Sequence, residues 1–465
     1  MADFPQAPSY HPDPALLKLG EPFYNPVHAA DFPQTILRFR NDRAAVEVGL
    51  DGLSDEAWAR HFGRFEPLPG NLPQPLAMRY HGHQFRVYNP ELGDGRGFSF
   101  AQMRRADGAL LELATKGSGQ TPWSRFGDGR LTLKGGVREV LASEMLEALG
   151  VATSRSFSLI ETGEALERND EPSPTRSAVL VRMSLGHIRI GTFQRLAYHG
   201  DTDALERLVD YCLREMYGVE PEADPVAQFF DLVVGRTATL AAQYMAAGFV
   251  HGVLNTDNIN VMGESFDYGP WRFAPTWEPG FTAAYFDHAG LYALARQPEA
   301  IMWNVAQLAV SLRRISEAPP LIERLETFED RFRRACGAPL ERRLGLQGGD
   351  PERGWRLRTA IDEALVATQA PIDRFFHDAR GAALPNDYGQ EWDAVRAVLG
   401  EYTPRPDARA HPHFAQGEPC SMLIDEVEAI WSAIDRDDDW GPFNAKVASI
   451  RQCGQALDAR GAGNA

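Results

Sequence analysis

The chain has little cysteine: Cys212, Cys336, Cys420 and Cys453 are all that 465 residues contain. No two of them form a C-x-x-C pair. That spacing excludes a zinc ribbon and a disulfide framework, and a reducing cytoplasm is the compartment it fits. Basic residues are also scarce: 47 Lys and Arg stand against 64 Asp and Glu, for a net charge of −17. Such a surface excludes a general nucleic-acid binder, because phosphate backbones select basic proteins. It leaves room for a local basic pocket that holds one nucleotide. No apolar run is long enough to read as a membrane span. The most apolar stretch, residues 226–254, is interrupted by Asp231, Arg236, Gln243 and His251 and predicts a buried helix followed by a loop. The first residues, "MADFPQAPSYHPDP", lack a basic segment followed by an apolar one, so no secretory signal is expected. No internal repeat is found.

What is present has the balance of an ordinary globular protein, with 44% hydrophobic and 24% charged residues. The length predicts two or three structural units, or one two-lobed enzyme. The proline-rich first 30 residues predict an extended arm. "SDEAWARHF" predicts a helix capped by Ser54. "ALLELATKG" predicts a strand ending near Lys116, and "LKGGVREVLASEMLEALG" a helix that stops at Gly150. "RSFSLIETG" and "SAVLVRM" predict two strands, with "ERNDEPSPT" as the turn between them. The second half reads as mostly helical. Asp224-Pro225 is an N-cap followed by proline at the first helical position, and the helix it opens ends at Gly248. "QPEAIMWNVAQLAVSL" and "IDEALVATQAPIDRFF" predict further helices, and the final "LDARGAGNA" predicts disorder.

One stretch carries chemistry. In "FVHGVLNTDNINVMGESFDYGPW", residues 251–258 have the length of the kinase catalytic loop H-R-D-L-x-x-x-N, and Asp267-Tyr268-Gly269 has the form of D-F-G. Val253 occupies the place of the catalytic aspartate. Asn258 and Asp267 are oxygen ligands of the kind Mg²⁺ prefers alongside phosphates. Upstream, in kinase order, stand the Gly-rich turn "LGDGRG", a strand with Lys116 and a helix with Glu139. The turn is not a Walker loop, since no G-K-[ST] follows. Arg182 and Arg189 bracket "MSLGHIR" and suit phosphate oxygens. His81 and His83 lack a supporting carboxylate or cysteine, which favours structural hydrogen bonds over a metal. Asp128-Gly129 in "RFGDGR" is either a turn or a ligand to base or ribose. Three functions fit these residues: nucleotidyl transfer, ordinary phosphoryl transfer, and a silent nucleotide-binding scaffold.

The segments "YHGHQFRVYNPELGDGRG", "LATKGSGQTPWSRFGDGR", "GGVREVLASEMLEALGV", "VRMSLGHIRIGTF" and "GFVHGVLNTDNINVMGESFDYGP" together resemble the selenoprotein O family of kinase-fold protein adenylyltransferases. "QPEAIMWNVAQLA" matches as well, and the resemblance covers roughly residues 20–320. It implies an α+β, protein-kinase-like two-lobed fold. Residues 1–90 would form an N-terminal extension packed on the core, 91–200 the N-lobe, 201–395 a helical C-lobe and 396–465 a divergent C-terminal region. It implies ATP bound in a flipped orientation, with AMP passed to Ser, Thr or Tyr hydroxyls of proteins and pyrophosphate released. Carried over by position, Gly93, Gly95, Arg96, Lys116, Asp128, Gly129, Arg182, Arg189 and Asp267 would contact ATP. Asp257 would accept the proton, Asn258 and Asp267 would hold Mg²⁺ (or Mn²⁺ in its place), and Glu139 would pair with Lys116. The expected protein is a cytoplasmic monomer whose partners are ATP and acceptor proteins, not nucleic acid or membrane. Two features depart from the family. Arg86 stands where a small residue is usual after "GHQF". The C-terminal Asn-Pro segment and terminal cysteine or selenocysteine motif are missing, which argues against redox control by a C-terminal disulfide.

Overall fold

The computed structural model describes residues 9–169, 171–415 and 417–458. Alternating and continuous apolar runs in the first 184 residues build one large antiparallel sheet. Its strands are β1 (Tyr24–Pro26), β2 (Ile36–Arg40), β3 (Leu76–Met78), β6 (Ser99–Arg104), β7 (Leu110–Lys116), β8 (Leu131–Thr132), β9 (Arg155–Leu166) and β10 (Thr175–Ser184). They lie in the order β1-β3-β6-β7-β10-β9-β2, with β8 on β10. β4 (Gly82–Gln84) and β5 (Val87–Asn89) form a separate hairpin. Every residue of β7 is buried, as expected for a central strand covered on both faces. Three strands of the first 90 residues therefore lie within the sheet rather than only against it. The expected extended arm is broken by a 3₁₀ turn at Ala15–Lys18 before β1; residues 1–8 lie outside the described residues.

Helix α1 (Asp42–Glu47) and α2 (Asp55–Gly63) follow β2, and the Ser54 hydroxyl caps α2 by accepting from Ala57 N. α2 packs Trp58 and Phe62 against Phe157 of β9. The helix α3 (Leu133–Ala148) lies on the other face and carries Glu139. It is buried almost all round, because α15 (Gly441–Asp458) returns from the C-terminus to cover it.

Beyond β10 the described chain is mostly helical. α4 (Ile190–His199), α5 (Thr202–Tyr211) and α6 (Pro225–Ala247) come first. Asp224 caps α6 through Ala227 N, and Gly248 closes it with φ +64°. That left-handed turn delivers β11 (Phe249–His251), which pairs with β12 (Trp271–Phe273). The candidate catalytic residues hang between these two strands. α7 (Gln297–Leu312) packs beside α4 and α6. α8 (Ala318–Glu326), α9 (Phe328–Ala335), α10 (Gly337–Leu344), α11 (Pro351–Thr368), α12 (Ile372–Asp378) and α13 (Asp393–Leu399) complete the helical region with α14 (Ile424–Asp437). The tail expected to be disordered is helical as far as Asp458; residues 459–465 lie outside the described residues. No helix among the described residues is long and apolar enough to cross a membrane.

Candidate active site

The sheet and the helical region meet around a cavity of about 660 Å³. Seven Lys and Arg side chains and five carboxylates line it. In a chain of net charge −17 this local excess of cations concentrates anionic ligands.

The floor of the cavity is built by the end of β7. Lys116 is 4% exposed and its Nζ donates to Glu139 of α3 and to Asp267 Oδ1 at 2.6 Å. One buried cation is thus shared by two carboxylates, one from the helix and one from the loop after β11. Asp267 has φ +63°, a left-handed conformation that aspartate tolerates better than most residues. Burial pushes its carboxyl up, but Lys116 and Arg182 outweigh that and hold it well below the usual carboxylate range. Arg182 of β10 lies 3.5 Å from Asp267 Oδ1. Its buried Nε has no hydrogen-bond partner among the described residues.

The roof is the Gly-rich turn with the loop that follows β7. Thr121 Oγ1 donates to Asp94 O and Ser124 Oγ to Gly95 O, each at 2.5 Å. A Cβ on Gly93 would lie 2.4 Å from Trp123, and one on Gly95 would lie 2.9 Å from Trp123 O. These glycines are required by the approach of the 119–130 loop. Gly129 has φ +71°, with Gly119 within 2.2 Å of any Cβ, and it turns that loop back toward the sheet. At its edge Asp128 pairs with Arg168 at 2.8 Å. Arg96 is exposed at the mouth.

Asp257 sits in a 3₁₀ turn, Thr256–Asn258. It is 8% exposed, and its Oδ1 is buried without a hydrogen-bond partner. Burial pushes its carboxyl up to about 7, against the pull of Arg189. Arg189, the residue before α4, donates to Asp257 O at 3.1 Å and reaches Asp94 Oδ1 at 3.4 Å. It also lies over the Tyr80 ring, 4.1 Å from its centroid. Asn258 donates through Nδ2 to Val253 O at 2.9 Å, so its amide closes the loop in which Val253 lies. A carboxyl with a value near neutrality can accept a proton; a buried lysine shared with an acid and two arginines can bind phosphate.

The cavity brings together Gly93, Gly95, Arg96, Lys116, Asp128, Gly129, Arg182, Arg189, Asp257 and Asp267. Glu139 stands behind Lys116, and Asn258 lies beside Asp257 without lining the cavity. His81 and His83 make structural hydrogen bonds, to Tyr88 Oη at 2.8 Å and Gln194 Nε2 at 2.7 Å. Sequence reasoning passed over Asp94, Tyr80 and Trp123. Asp94 had a visible signal, an acid inside a Gly-rich turn. Its partnership with Arg189, 95 residues away, had none.

A family model described as protein adenylyltransferase SelO matches residues 8–451 of the chain. The protein nucleotidyltransferase YdiU of Synechocystis sp. is 43% identical over 468 residues, covering 94% of this chain and 97% of that protein. Its counterpart in Gloeobacter violaceus is 45% identical and that in Synechococcus elongatus 44%, each alignment covering 95% of both chains.

Proposed function

Since the chain belongs to the protein adenylyltransferase SelO family and is a protein nucleotidyltransferase, we propose that it transfers AMP from ATP to Ser, Thr or Tyr hydroxyls of acceptor proteins. The acceptor oxygen forms a bond to the α-phosphorus, the bond from that phosphorus to the bridging oxygen breaks, and pyrophosphate leaves. Asp257 takes the hydroxyl proton. Lys116, Arg182 and Arg189 hold the phosphates, and Glu139 holds Lys116. The Gly93–Arg96 turn and Asp128-Gly129 enclose the rest of the nucleotide. The two-lobed kinase-like arrangement is our reading of the sheet, the Lys116–Glu139 pair and the loop between β11 and β12.

The donor set suits Mg²⁺, which takes oxygen ligands and needs few from the protein when phosphates supply others. Among the described residues no group of three His, Cys, Asp or Glu could hold a metal. We assign the ion to Asp267 and Asn258, whose carboxylate and amide oxygens are of the required type. When bound it neutralises charge that builds up on the phosphates.

The observation that carries this reading is Asp257. Val253 takes the kinase base away, yet a carboxyl poised near 7 stands four residues on, in the same cavity as Lys116 and Asp267. ATP labelled separately at the α and γ positions tests it with an acceptor protein mixture. Label retained on protein from the α position alone is expected. Retention of γ label would mean phosphoryl transfer, and retention of neither a silent scaffold.

A further inference from the structure

Among the described residues the hairpin of β4 and β5 pairs with no other strand, and its turn is strained. Phe85 and Arg86 both have positive φ, +49° and +65°, in a two-residue turn that favours Asn-Gly. Contacts outside the hairpin hold this conformation. Phe85 N donates to Asn255 Oδ1 at 3.0 Å, and Tyr292 Oη donates to the same oxygen at 2.6 Å. The Arg86 guanidinium lies over Trp303 and 3.4 Å from Glu299. Arg86, which departs from the family pattern, is thus anchored in a left-handed conformation that only glycine adopts without strain.

The strand before the turn addresses the catalytic loop residue by residue. His83 N donates to Thr256 Oγ1 at 2.6 Å. Thr256 Oγ1 donates to Gln194 Oε1 at 2.7 Å, and Gln194 Nε2 donates to His83 Nδ1 at 2.7 Å, which closes a ring of three. Thr256 is fully buried. Gly82 lies against Asp257: a Cβ there would be 3.0 Å from Asp257 Oδ1 and 3.1 Å from Asp257 Cβ. Gly82, His83 and Phe85 therefore meet Asp257, Thr256 and Asn255 in antiparallel order. The Asp257 Oδ1 atom makes no hydrogen bond, so side-chain partners do not fully set its direction. The backbone that carries it does, through Arg189 on one side and Thr256 on the other.

We infer that Thr256, Gln194 and His83 are positioning residues for Asp257, and that the strained β4–β5 hairpin is the template that aims its carboxylate. The inference rests on Asp257 as the proton acceptor. A base must meet its proton within hydrogen-bond reach, and small misplacements lower rate without lowering nucleotide affinity.

The test measures kcat and the KM for ATP in AMP transfer from α-labelled ATP. Thr256→Val, Thr256→Ser and Gly82→Ala are each made in the wild type and in Asp257→Asn. Thr256→Val is expected to lower kcat about 10- to 100-fold, with KM for ATP within about threefold. Thr256→Ser, which keeps the hydroxyl, should recover most of the rate. Gly82→Ala disturbs none of the three ring hydrogen bonds, so it reports even if Thr256→Val folds poorly; it should show the same split. In Asp257→Asn neither Thr256→Val nor Gly82→Ala should lower the residual rate further. If they lower it by the same factor as in the wild type, the residues do not act through Asp257 and the inference fails. A rise in KM with kcat unchanged also overturns it. A fully active Asp257→Asn would be a separate failure, that of Asp257 as the base.

Discussion

Replacing Asp257 by asparagine removes a carboxyl whose ionisation the fold opposes, and the size of that opposition is calculable. Burial moves the group from 3.8 to about 7, which corresponds to at most about 4 kcal/mol against the charged form. The folded-state value lies above the unfolded one. Ionisation therefore costs folding stability as pH rises: the cost is absent below about pH 4 and complete above about pH 7. Asparagine keeps the shape and never ionises. The stability advantage of Asp257→Asn over the wild type should accordingly grow by about 2–3 kcal/mol between pH 5 and pH 8. Urea unfolding of both proteins at the two pH values measures it. The same group should govern rate, because only the carboxylate accepts a proton. In the wild type kcat/KM, which reports the free enzyme, should rise with pH and reach half its plateau near 7, and at pH 6 it should be about a tenth of the plateau. Asp257→Asn should lose about 10²- to 10⁴-fold in transfer and, with it, that limb of the profile. A stability gap that does not widen, together with a wild-type rate that is flat from pH 5.5 to 8.5, would refute both the burial argument and the assignment of the base.

Lys116→Met leaves Glu139 buried without its cation, beside a half-buried Asp267 that keeps only Arg182; it should weaken ATP binding, abolish most transfer and cost about 3–5 kcal/mol of stability in thermal or urea melts. Adding Glu139→Gln should restore much of that stability and none of the activity; recovered transfer in the double variant would remove Lys116 from the phosphate site. Asp267→Ala should abolish transfer and most Mg²⁺-dependent ATP binding by calorimetry, and wild-type turnover at saturating ATP would dismiss it as a ligand. Val253→Asp should not rescue Asp257→Ala, and rescue accompanied by γ-label transfer would point to ordinary kinase geometry.

The sequence alone determined the local elements. Ser54 and Asp224 announced their helices as caps, Gly248 announced the end of α6, and the run through Lys116 announced β7, because caps, breakers and periodicity act within a few residues of chain. It also offered part of the cavity lining: the Gly-rich turn, Lys116, Arg182, Arg189 and Asp267 by type and order, and Asp128 and Asp257 through the family resemblance, but not Asp94, Tyr80 or Trp123. Only the tertiary structure decided how these groups act on one another. It placed three strands of the first 90 residues in the main sheet, a matter of pairing partners tens of residues apart that no local pattern encodes. It paired Arg189 with Asp94 and buried Asp257 against Gly82. The affinity of Asp257 for its proton depends on desolvation, and desolvation is set by whatever distant chain segments pack against a group. A carboxylate four residues from a lost one could be read from the letters, but its poise near neutrality exists only once the folded chain has buried it.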